Sequence, residues 1–186
     1  NHQLPLAGAV WYPRRDLPVD PYVLGVWIGD GTSATAEITC ADEPILAEVA
    51  RAGYAVAAER TRRLSYRIGG TGHTRSAVTG RYERNDSLTS TLRNMGLLGH
   101  KRIPDEYLHA SVEQREALLQ GLMDTDGFVD DVAGRCEFTS TKEALADAVV
   151  ELAAGLGFRP VKSTGRAALR GVDCGPKYRV KFTPDR

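Results

Sequence analysis

The chain contains two short, mostly apolar stretches that each end in an aspartate followed by a glycine. The first extends from Tyr22 to Asp30 and is preceded by Asp20 and Pro21. An aspartate side chain can cap the N-terminus of a helix, and proline suits the first helical position. We therefore predict a helix over this stretch, which Gly31 would end by adopting the left-handed conformation of a glycine C-cap.

The second stretch ends at Asp126 and Gly127. Ser111 and Gln114 precede it at the spacing of a capping box, in which each side chain satisfies a backbone amide of the other residue. This pattern predicts a second helix that ends in the same way as the first.

The segments that follow the two helices also repeat each other. Residues 36–39 and 136–139 are strand-like and share glutamate, an apolar residue and threonine in the same order. Helices are predicted after both segments, over residues 43–52 and 142–154. Ser140 is the predicted cap of the second of these helices.

Two further strands match as well, because Tyr66-Arg67-Ile68 and Tyr178-Arg179-Val180 share the order of tyrosine, arginine and an apolar residue. A period of roughly one hundred residues predicts two pseudo-symmetric halves rather than a solenoid. We divide the chain into a linker segment over residues 1–20, a first lobe over residues 21–104 and a second lobe over residues 105–186.

Small residues mark one face of each of the two predicted apolar helices. Residues four positions apart share a helix face, as do Gly25 and Gly29 on the first helix and Gly121 and Thr125 on the second. Small side chains let two helix backbones approach closely. We expect these helices to pack together at the boundary between the lobes and to bring Asp30 and Asp126 side by side.

Two carboxylates at neighbouring helix C-termini are unfavourable on their own. Each faces the negative end of a helix dipole, at a cost of roughly 0.3–1 kcal/mol, and also a like charge. A divalent cation would offset this cost, and carboxylate and carbonyl oxygens suit Mg²⁺ with several waters retained. We therefore predict a magnesium site formed by Asp30, Asp126 and the helix-end residues Gly29 and Thr125, where a bound water could attack a phosphodiester. An aspartate followed by glycine is, taken singly, more often an ordinary turn or helix end.

Basic residues are clustered in matching parts of the two halves, although the formal net charge is +0. Arginine and lysine bind phosphates by displacing counterions, and arginine can also read guanine. Two such clusters predict a nucleic-acid partner, whereas a single basic run is more often a solvated surface. The clusters include Arg60, Arg62, Arg63, Arg67, Arg75, Arg81 and Arg84 in the first half and Lys162, Arg166, Arg170, Lys177, Arg179 and Lys181 in the second.

Composition narrows the remaining classes of protein. The sequence has 186 residues, of which 42% are hydrophobic and 26% charged, and this is typical of a folded globular protein. It shows neither an apolar run of membrane-spanning length nor a signal peptide, so we expect a cytoplasmic protein. The three cysteines are widely separated, which disfavours a zinc site or a disulfide framework.

Residues 23–31 and 119–127 resemble the paired LAGLIDADG motifs of monomeric homing endonucleases. The sequence His100-Lys101-Arg102-Ile103-Pro104 is similar to the Lys-x-Ile-Pro block that precedes the second motif in family members carried by inteins. More loosely, the chain is similar to the endonuclease insert of inteins in bacterial replicative DNA helicases.

The resemblance implies an α+β fold with two pseudo-symmetric lobes. Each lobe would consist of a LAGLIDADG helix and a twisted antiparallel sheet backed by helices, and the two sheets would form a saddle that binds double-stranded DNA. The basic residues named above would lie on or near its DNA-facing strands and bind the DNA. The implied activity is Mg²⁺-dependent, site-specific cleavage of double-stranded DNA by a monomer. Such a domain would be inserted in an intein splicing domain, and we do not expect this stretch to splice by itself. The alternative is a DNA-binding regulator or RNA maturase that keeps the scaffold without cleavage.

The resemblance also implies roles for particular residues. Asp30 and Asp126 would be the catalytic, metal-binding acids. Lys101 would be a catalytic lysine that polarises the attacking water or neutralises developing charge, with a plain surface lysine as the alternative. A second catalytic lysine is expected at Lys177, at Lys181 or at a position beyond this sequence.

A further acid, Asp124, stands where the first motif has Ile28. We expect Asp124 to cap or orient other groups rather than to bind metal. The acidic segment that begins at Asp124 does not fit an EF-hand calcium loop, because Val129 and Arg135 stand where that loop needs glycine and glutamate.

Overall fold

A computed structural model describes residues 8–70, 87–130 and 132–184. The elements are, in chain order, α1 (Pro21–Asp30), β1 (Glu37–Thr39), α2 (Glu43–Arg51), β2 (Val56–Ala58), β3 (Ser65–Ile68), α3 (Leu88–Asn94), α4 (Asp105–Leu108), α5 (Val112–Asp126), β4 (Gly127–Asp130), β5 (Arg135–Ser140), α6 (Glu143–Gly155), β6 (Val161–Leu169) and β7 (Val172–Phe182). Among these residues, no helix has both the length and the apolar composition needed to cross a membrane. The predicted DNA-binding residues Arg75, Arg81 and Arg84 lie outside the described residues.

The N-termini of the two central helices are capped as their sequences predict. The Asp20 carboxylate accepts hydrogen bonds from the backbone amides of Tyr22 and Val23, at 3.0 and 3.2 Å, and so caps α1. Ser111 and Gln114 form the capping box of α5, with both reciprocal bonds present. These side chains satisfy amides that have no partner within the helix.

The C-termini of these helices differ from the prediction. Gly31 and Gly127 have φ angles of −72° and −96° and are extended rather than left-handed. Glycine is needed there for space. A Cβ on Gly31 would lie 2.5 Å from an indole carbon of Trp27, and one on Gly127 would lie 2.5 Å from the terminal methyl of Met123.

The strands form two antiparallel sheets. The first has the order β1-β3-β2 and the second the order β4-β5-β7-β6. The predicted α+β fold is confirmed. One continuous buried cluster joins the lobes, and it includes Leu24 of α1, Leu118 of α5, Ile38 of the first sheet and Phe138 of the second.

Strand pairing aligns the two lobes. Gly31 forms a bridge with Ile38, and Gly127 pairs with Phe138 in the same antiparallel sense. Each acid at a helix end is therefore followed by a glycine that pairs with the apolar residue of the Glu-apolar-Thr strand. Because the same contact recurs in both halves, it fixes Asp30 and Asp126 at equivalent positions.

The predicted match between Tyr66-Arg67-Ile68 and Tyr178-Arg179-Val180 is displaced. Glu37 pairs with Arg67, whereas the equivalent Glu137 pairs with Lys181. Arg67 is therefore equivalent to Lys181 in the sheet, and the sequence echo lies two residues out of register. A shift by two positions keeps every side chain on its own face of the sheet, so the pattern of burial cannot reveal it.

The helix after β5 also begins differently from the prediction. Its N-cap is Lys142 rather than Ser140, and the Ser140 hydroxyl accepts a hydrogen bond from the Lys142 amide at 3.1 Å. A lysine is an unusual N-cap, because it has no acceptor for the free amides and places positive charge at the positive end of the helix dipole.

The described part of the linker segment lies against the second lobe. The Val10 amide donates to the Gly155 carbonyl at 2.8 Å. Arg115 of α5 is fully buried and donates to the carbonyls of both Val10 and Gly155. These bonds attach the segment to a lobe that begins almost a hundred residues later in the chain.

Candidate active site

Helices α1 and α5 pack with their backbones in close contact. A Cβ on Gly25 would lie 2.5 Å from the Leu118 carbonyl oxygen, and one on Gly121 would lie 2.9 Å from the Val26 amide nitrogen. Further along, a Cβ on Gly29 would lie 2.6 Å from the Cβ of Thr125. The predicted small-residue interface is therefore present in the structure.

The same contacts give the relative direction of the helices. Gly121 lies against Val26, and Thr125 lies against Gly29, so the residue numbers rise together and the helices are parallel. Their C-termini consequently meet at one end of the seam, where α1 ends in Asp30 and α5 ends in Asp126.

The two acids lie in a setting that disfavours their ionised forms. Partial burial raises the pKa of Asp30, Lys101 opposes the rise, and Asp42 adds to it. The pKa of Asp126 is also raised. Burial is the larger cause and the negative charge of Asp30 the smaller one, whereas Lys101 again opposes the rise. Each carboxylate therefore remains incompletely neutralised by the chain itself.

Lys101 holds the end of α1. Its ammonium donates to the carbonyls of Ile28 and Gly29, at 3.0 and 3.2 Å, and to that of Gly31. It also lies 5.2 Å from the ring centroid of Trp27. A cation here satisfies the free carbonyls and opposes the negative end of the helix dipole. Lys101 is therefore half-buried against the end of α1.

Burial, together with the charge of the nearby Lys142, lowers the pKa of Lys101 to about 8, although Asp126 and Asp30 oppose the shift. A lysine with this pKa has an appreciable neutral fraction at mildly alkaline pH. Its charge is therefore sensitive to the other charged groups around the helix ends.

A cavity of about 300 Å³ opens beside the end of α5, and Asp126, Lys101 and Lys142 all line it. Ser33 and Thr139 contribute polar side chains to its wall. Lys142 was missed by the sequence analysis. The sequence placed it as the first residue of a helix capped by Ser140, and no local signal indicates that it lies near Asp126.

Asp124 forms a bond between the central helices. Its carboxylate accepts a hydrogen bond of 2.9 Å from the Tyr22 hydroxyl of α1. Burial, followed by this hydrogen bond and the Asp124 charge, raises the pKa of Tyr22, which keeps the hydroxyl protonated as a donor. This contact agrees with the expected orienting function of Asp124.

The basic residues of the first lobe lie on and beside its sheet. Arg67 of β3 pairs with Glu59, and Arg62 pairs with Glu37, both at 2.7 Å. Side chains alternate along a strand, so Arg67 and Glu37 share the face opposite the buried Ile38 and Ile68. The segment between β2 and β3 carries the exposed Arg60 and Arg63.

The second sheet separates its predicted DNA-binding residues between two faces. Lys177, Arg179 and Lys181 lie on the face opposite the buried Val180, and the last two contact Glu137, at 3.5 and 3.1 Å. We call this surface the open face. Thr139, which pairs with Arg179 across the strands, also lines the cavity with Asp126.

The predicted grouping of Lys162 and Arg166 with these residues needs correction. Lys162 pairs across the strands with Val180, and its ammonium contacts Glu143 and Asp147 of α6. Arg166 lies four residues along the same strand, therefore on the same face, and pairs with Asp173. Arg170 lies at the tip of the β6–β7 hairpin, with a φ angle of 51°.

The residues at the helix ends fit a hydrated divalent cation. The described residues include no group of three or more His, Cys, Asp or Glu side chains that could hold a metal ion. A cation at the acids would therefore combine two carboxylates with backbone carbonyls and water, as Mg²⁺ often does. Of the two predicted carbonyl ligands, that of Gly29 already accepts a bond from Lys101. The Thr125 hydroxyl donates to carbonyls of its own helix.

The fold and this site define a class of protein: two pseudo-symmetric lobes joined by parallel helices, with an acid at each helix end and basic residues on the sheets. Residues 102–185 match the sequence profile of the homing endonuclease family. Over these residues, which form most of the second lobe, the chain is similar to homing endonucleases.

Two relatives accompany this match. Over its whole length the chain is 36% identical to the replicative DNA helicase DnaB of Mycobacterium intracellulare, of which it spans 27%. It is also 26% identical to the homothallic switching endonuclease of Saccharomyces cerevisiae over 88% of the chain, which corresponds to 31% of that protein. The chain thus spans about a quarter to a third of these relatives.

A solved structure shares the fold. A glycine-to-serine variant of I-DmoI, in complex with its target DNA in the presence of magnesium, has a TM-score of 0.50 and 16% identity, and the match covers 89% of both chains. At this identity the likeness concerns the fold alone.

Proposed function

We propose that the chain is a site-specific endonuclease that hydrolyses one phosphodiester bond in each strand of a DNA duplex with the help of Mg²⁺. The observation that carries this proposal is the parallel packing of α1 and α5, which brings Asp30 and Asp126 to the same end of the seam beside Lys101. The match of residues 102–185 to the homing endonuclease family supports the same activity, as does the endonuclease name of the yeast relative.

The proposed reaction is attack by water on phosphorus. A bond forms between the water oxygen and phosphorus, the bond between phosphorus and the leaving sugar oxygen breaks, and that oxygen takes up a proton from solvent. A divalent cation would lower the pKa of the attacking water and offset negative charge. The chain's own contribution is to hold Asp30 and Asp126 as ligands and to place the Lys101 ammonium near the developing charge.

The proposed DNA contacts use the basic residues on the exposed sheet surfaces. Arg67, Arg179 and Lys181 each have a glutamate partner in the free protein. Phosphate oxygens can replace those partners at little cost, because ion pairs with an exposed basic side chain are weak. The glutamates meanwhile keep the arginine side chains oriented. Thr139 connects this surface to the cavity that Asp126 lines, so bound DNA would pass beside the acids.

Each proposed lobe, residues 21–104 and residues 105–186, contributes one acid. A single chain therefore contains both halves of the site, and we propose that it acts as a monomer. The 36% identity with a replicative helicase that is much longer supports the proposal that this chain is an endonuclease segment inserted in such a helicase as part of an intein.

The test is cleavage of a supercoiled plasmid that carries the host gene with the inserted segment removed. We expect linear product with Mg²⁺ and none with chelator. We expect Asp105→Asn, which changes an exposed acid that does not line the cavity beside Asp126, to cut like the wild type. Tight binding of the plasmid without any cut would favour a DNA-binding regulator, and tight binding of RNA would favour a maturase. Either outcome would contradict the proposed activity.

A further inference from the structure

Two residues of opposite charge occupy equivalent positions in the two lobes. Asp42 is the N-cap of α2, and Lys142 is the N-cap of α6. Each follows its Glu-apolar-Thr strand, and the spacing from Glu37 to Asp42 equals the spacing from Glu137 to Lys142. The strand pairing that aligns the lobes therefore also aligns Asp42 with Lys142.

Helix stability does not explain Lys142, and it favours Asp42 only through the helix dipole. Asp42 is a good capping residue, yet its side chain makes no capping hydrogen bond. Lys142 places a positive charge where the helix dipole disfavours one. Both side chains are exposed, and no ion pair within the part of the chain that the structure describes includes either of them. A residue that breaks a local rule without a compensating contact is a candidate for a function.

Asp42 lies near the acid of α1. The Cys40 thiol donates to the Asp42 carbonyl at 3.3 Å. Burial raises the pKa of this thiol, and the charges of Asp30 and Asp42 raise it further, so all three residues are neighbours. The end of α1 therefore faces additional negative charge.

Lys142 lies near the acid of α5. It lines the same cavity as Asp126 and Lys101, and its charge acts on Lys101. The end of α5 therefore faces additional positive charge, although the two helix ends have the same backbone geometry.

We infer that this charge reversal makes the two halves of the active site unequal, so that the strand whose scissile phosphate lies beside Asp126 and Lys142 is cut before the strand beside Asp30 and Asp42. The inference rests on the proposed endonuclease function. The phosphate is anionic, and negative charge builds on its oxygens as water attacks, which a nearby ammonium stabilises and a nearby carboxylate opposes. Lys142 supplies charge only and transfers no proton in this step.

The experiment follows each strand separately, with the linear target duplex cut from the host gene and labelled at its two ends with different fluorophores. We expect the wild type to cut one strand roughly tenfold faster than the other, the size expected of one nearby charge. The double variant Asp42→Lys with Lys142→Asp should reverse the preference. The single variants Lys142→Gln and Asp42→Asn should each reduce it, the first by slowing the faster cut and the second by accelerating the slower one.

The matched control is Asp105→Lys, which changes the formal charge as Asp42→Lys does, also in an exposed residue at the start of a helix. It should leave the strand preference unchanged. If the double variant does not fold, as judged by thermal unfolding, the two single variants decide. If these variants cut with the wild-type strand preference, this inference alone is overturned. If the wild type does not cut at all, the proposed function is overturned and the inference with it.

Discussion

The two central helices bring their acids to the same place but are supported in different ways. α1 is buried from Pro21 to Ile28, and Lys101 holds its C-terminal carbonyls. α5 is longer, begins with a capping box, exposes much of its surface and continues directly into β4. The shared features are therefore the small-residue contact and the position of the acid. Equivalent geometry at the two acids does not require equivalent surroundings.

The largest effect should come from removing either acid. Asp30→Asn or Asp126→Asn should lower double-strand cutting on the order of 10³-fold, because each carboxylate would hold the metal that activates water. DNA affinity should remain largely intact, since the acids lie at the helix ends rather than on the sheet faces. Single-turnover cleavage and a gel-shift titration measure the two quantities. If either variant cuts both strands at the normal rate, the acid replaced in that variant is not part of the catalytic site.

The close contact between α1 and α5 is tested by replacing the glycines at the contact with alanine. Gly25→Ala and Gly121→Ala should each destabilise the protein by about 2–3 kcal/mol, because the added methyl meets the backbone of the other helix. Gly165→Ala is the matched control, since its Cβ would lie at an ordinary 3.6 Å from a Lys177 carbon. Urea denaturation gives the free energies of unfolding. Equal stability of all three variants would argue against the parallel packing.

The two faces of the second sheet provide a sharper comparison. Arg179→Ala should weaken DNA binding about fivefold and reduce the slope of log affinity against log salt by about 1, because it removes one phosphate contact. Lys162→Ala, on the face toward α6, should leave both quantities unchanged. Fluorescence anisotropy at several salt concentrations measures them. Equal losses for the two variants would show that the open face is not the DNA-binding face.

The smallest effect concerns the stability of the free protein. The raised pKa of Asp126 means that its favourable contribution to folding is present below the unfolded-state pKa, near pH 4, and is lost as the pH rises through the folded-state pKa. Asp126→Asn should therefore raise the Tm by about 1–3 °C relative to the wild type at pH 7.5 without metal, and by less at pH 4. Thermal unfolding in chelator measures this difference. A Tm gain that does not depend on pH would assign the effect to something other than ionisation.

Much of the central architecture follows from local sequence. Asp20 and the Ser111–Gln114 pair identify the helix starts because caps act within one turn. The small residues at Gly25 and Gly121 predict the helix contact because nothing larger fits where two backbones meet. These features depend on neighbours in the chain or on the size of one side chain, so they are visible in the sequence.

The features that the sequence did not predict depend on distant strands. The register that pairs Glu137 with Lys181, rather than with Arg179, is set by long-range pairing that preserves the pattern of buried residues. The face occupied by Lys162 is likewise fixed by its cross-strand partner Val180. Lys142 enters the candidate site because the end of β5 meets the end of α5, which no local pattern reports.

The most direct test of the shared site is a crystal structure of the chain with its target duplex and Mn²⁺, in which anomalous scattering locates the metal. The account predicts at least one metal peak within about 2.5 Å of carboxylate oxygens of both Asp30 and Asp126. A metal bound elsewhere, or bound by one of these acids while the other points away from the DNA, would contradict it.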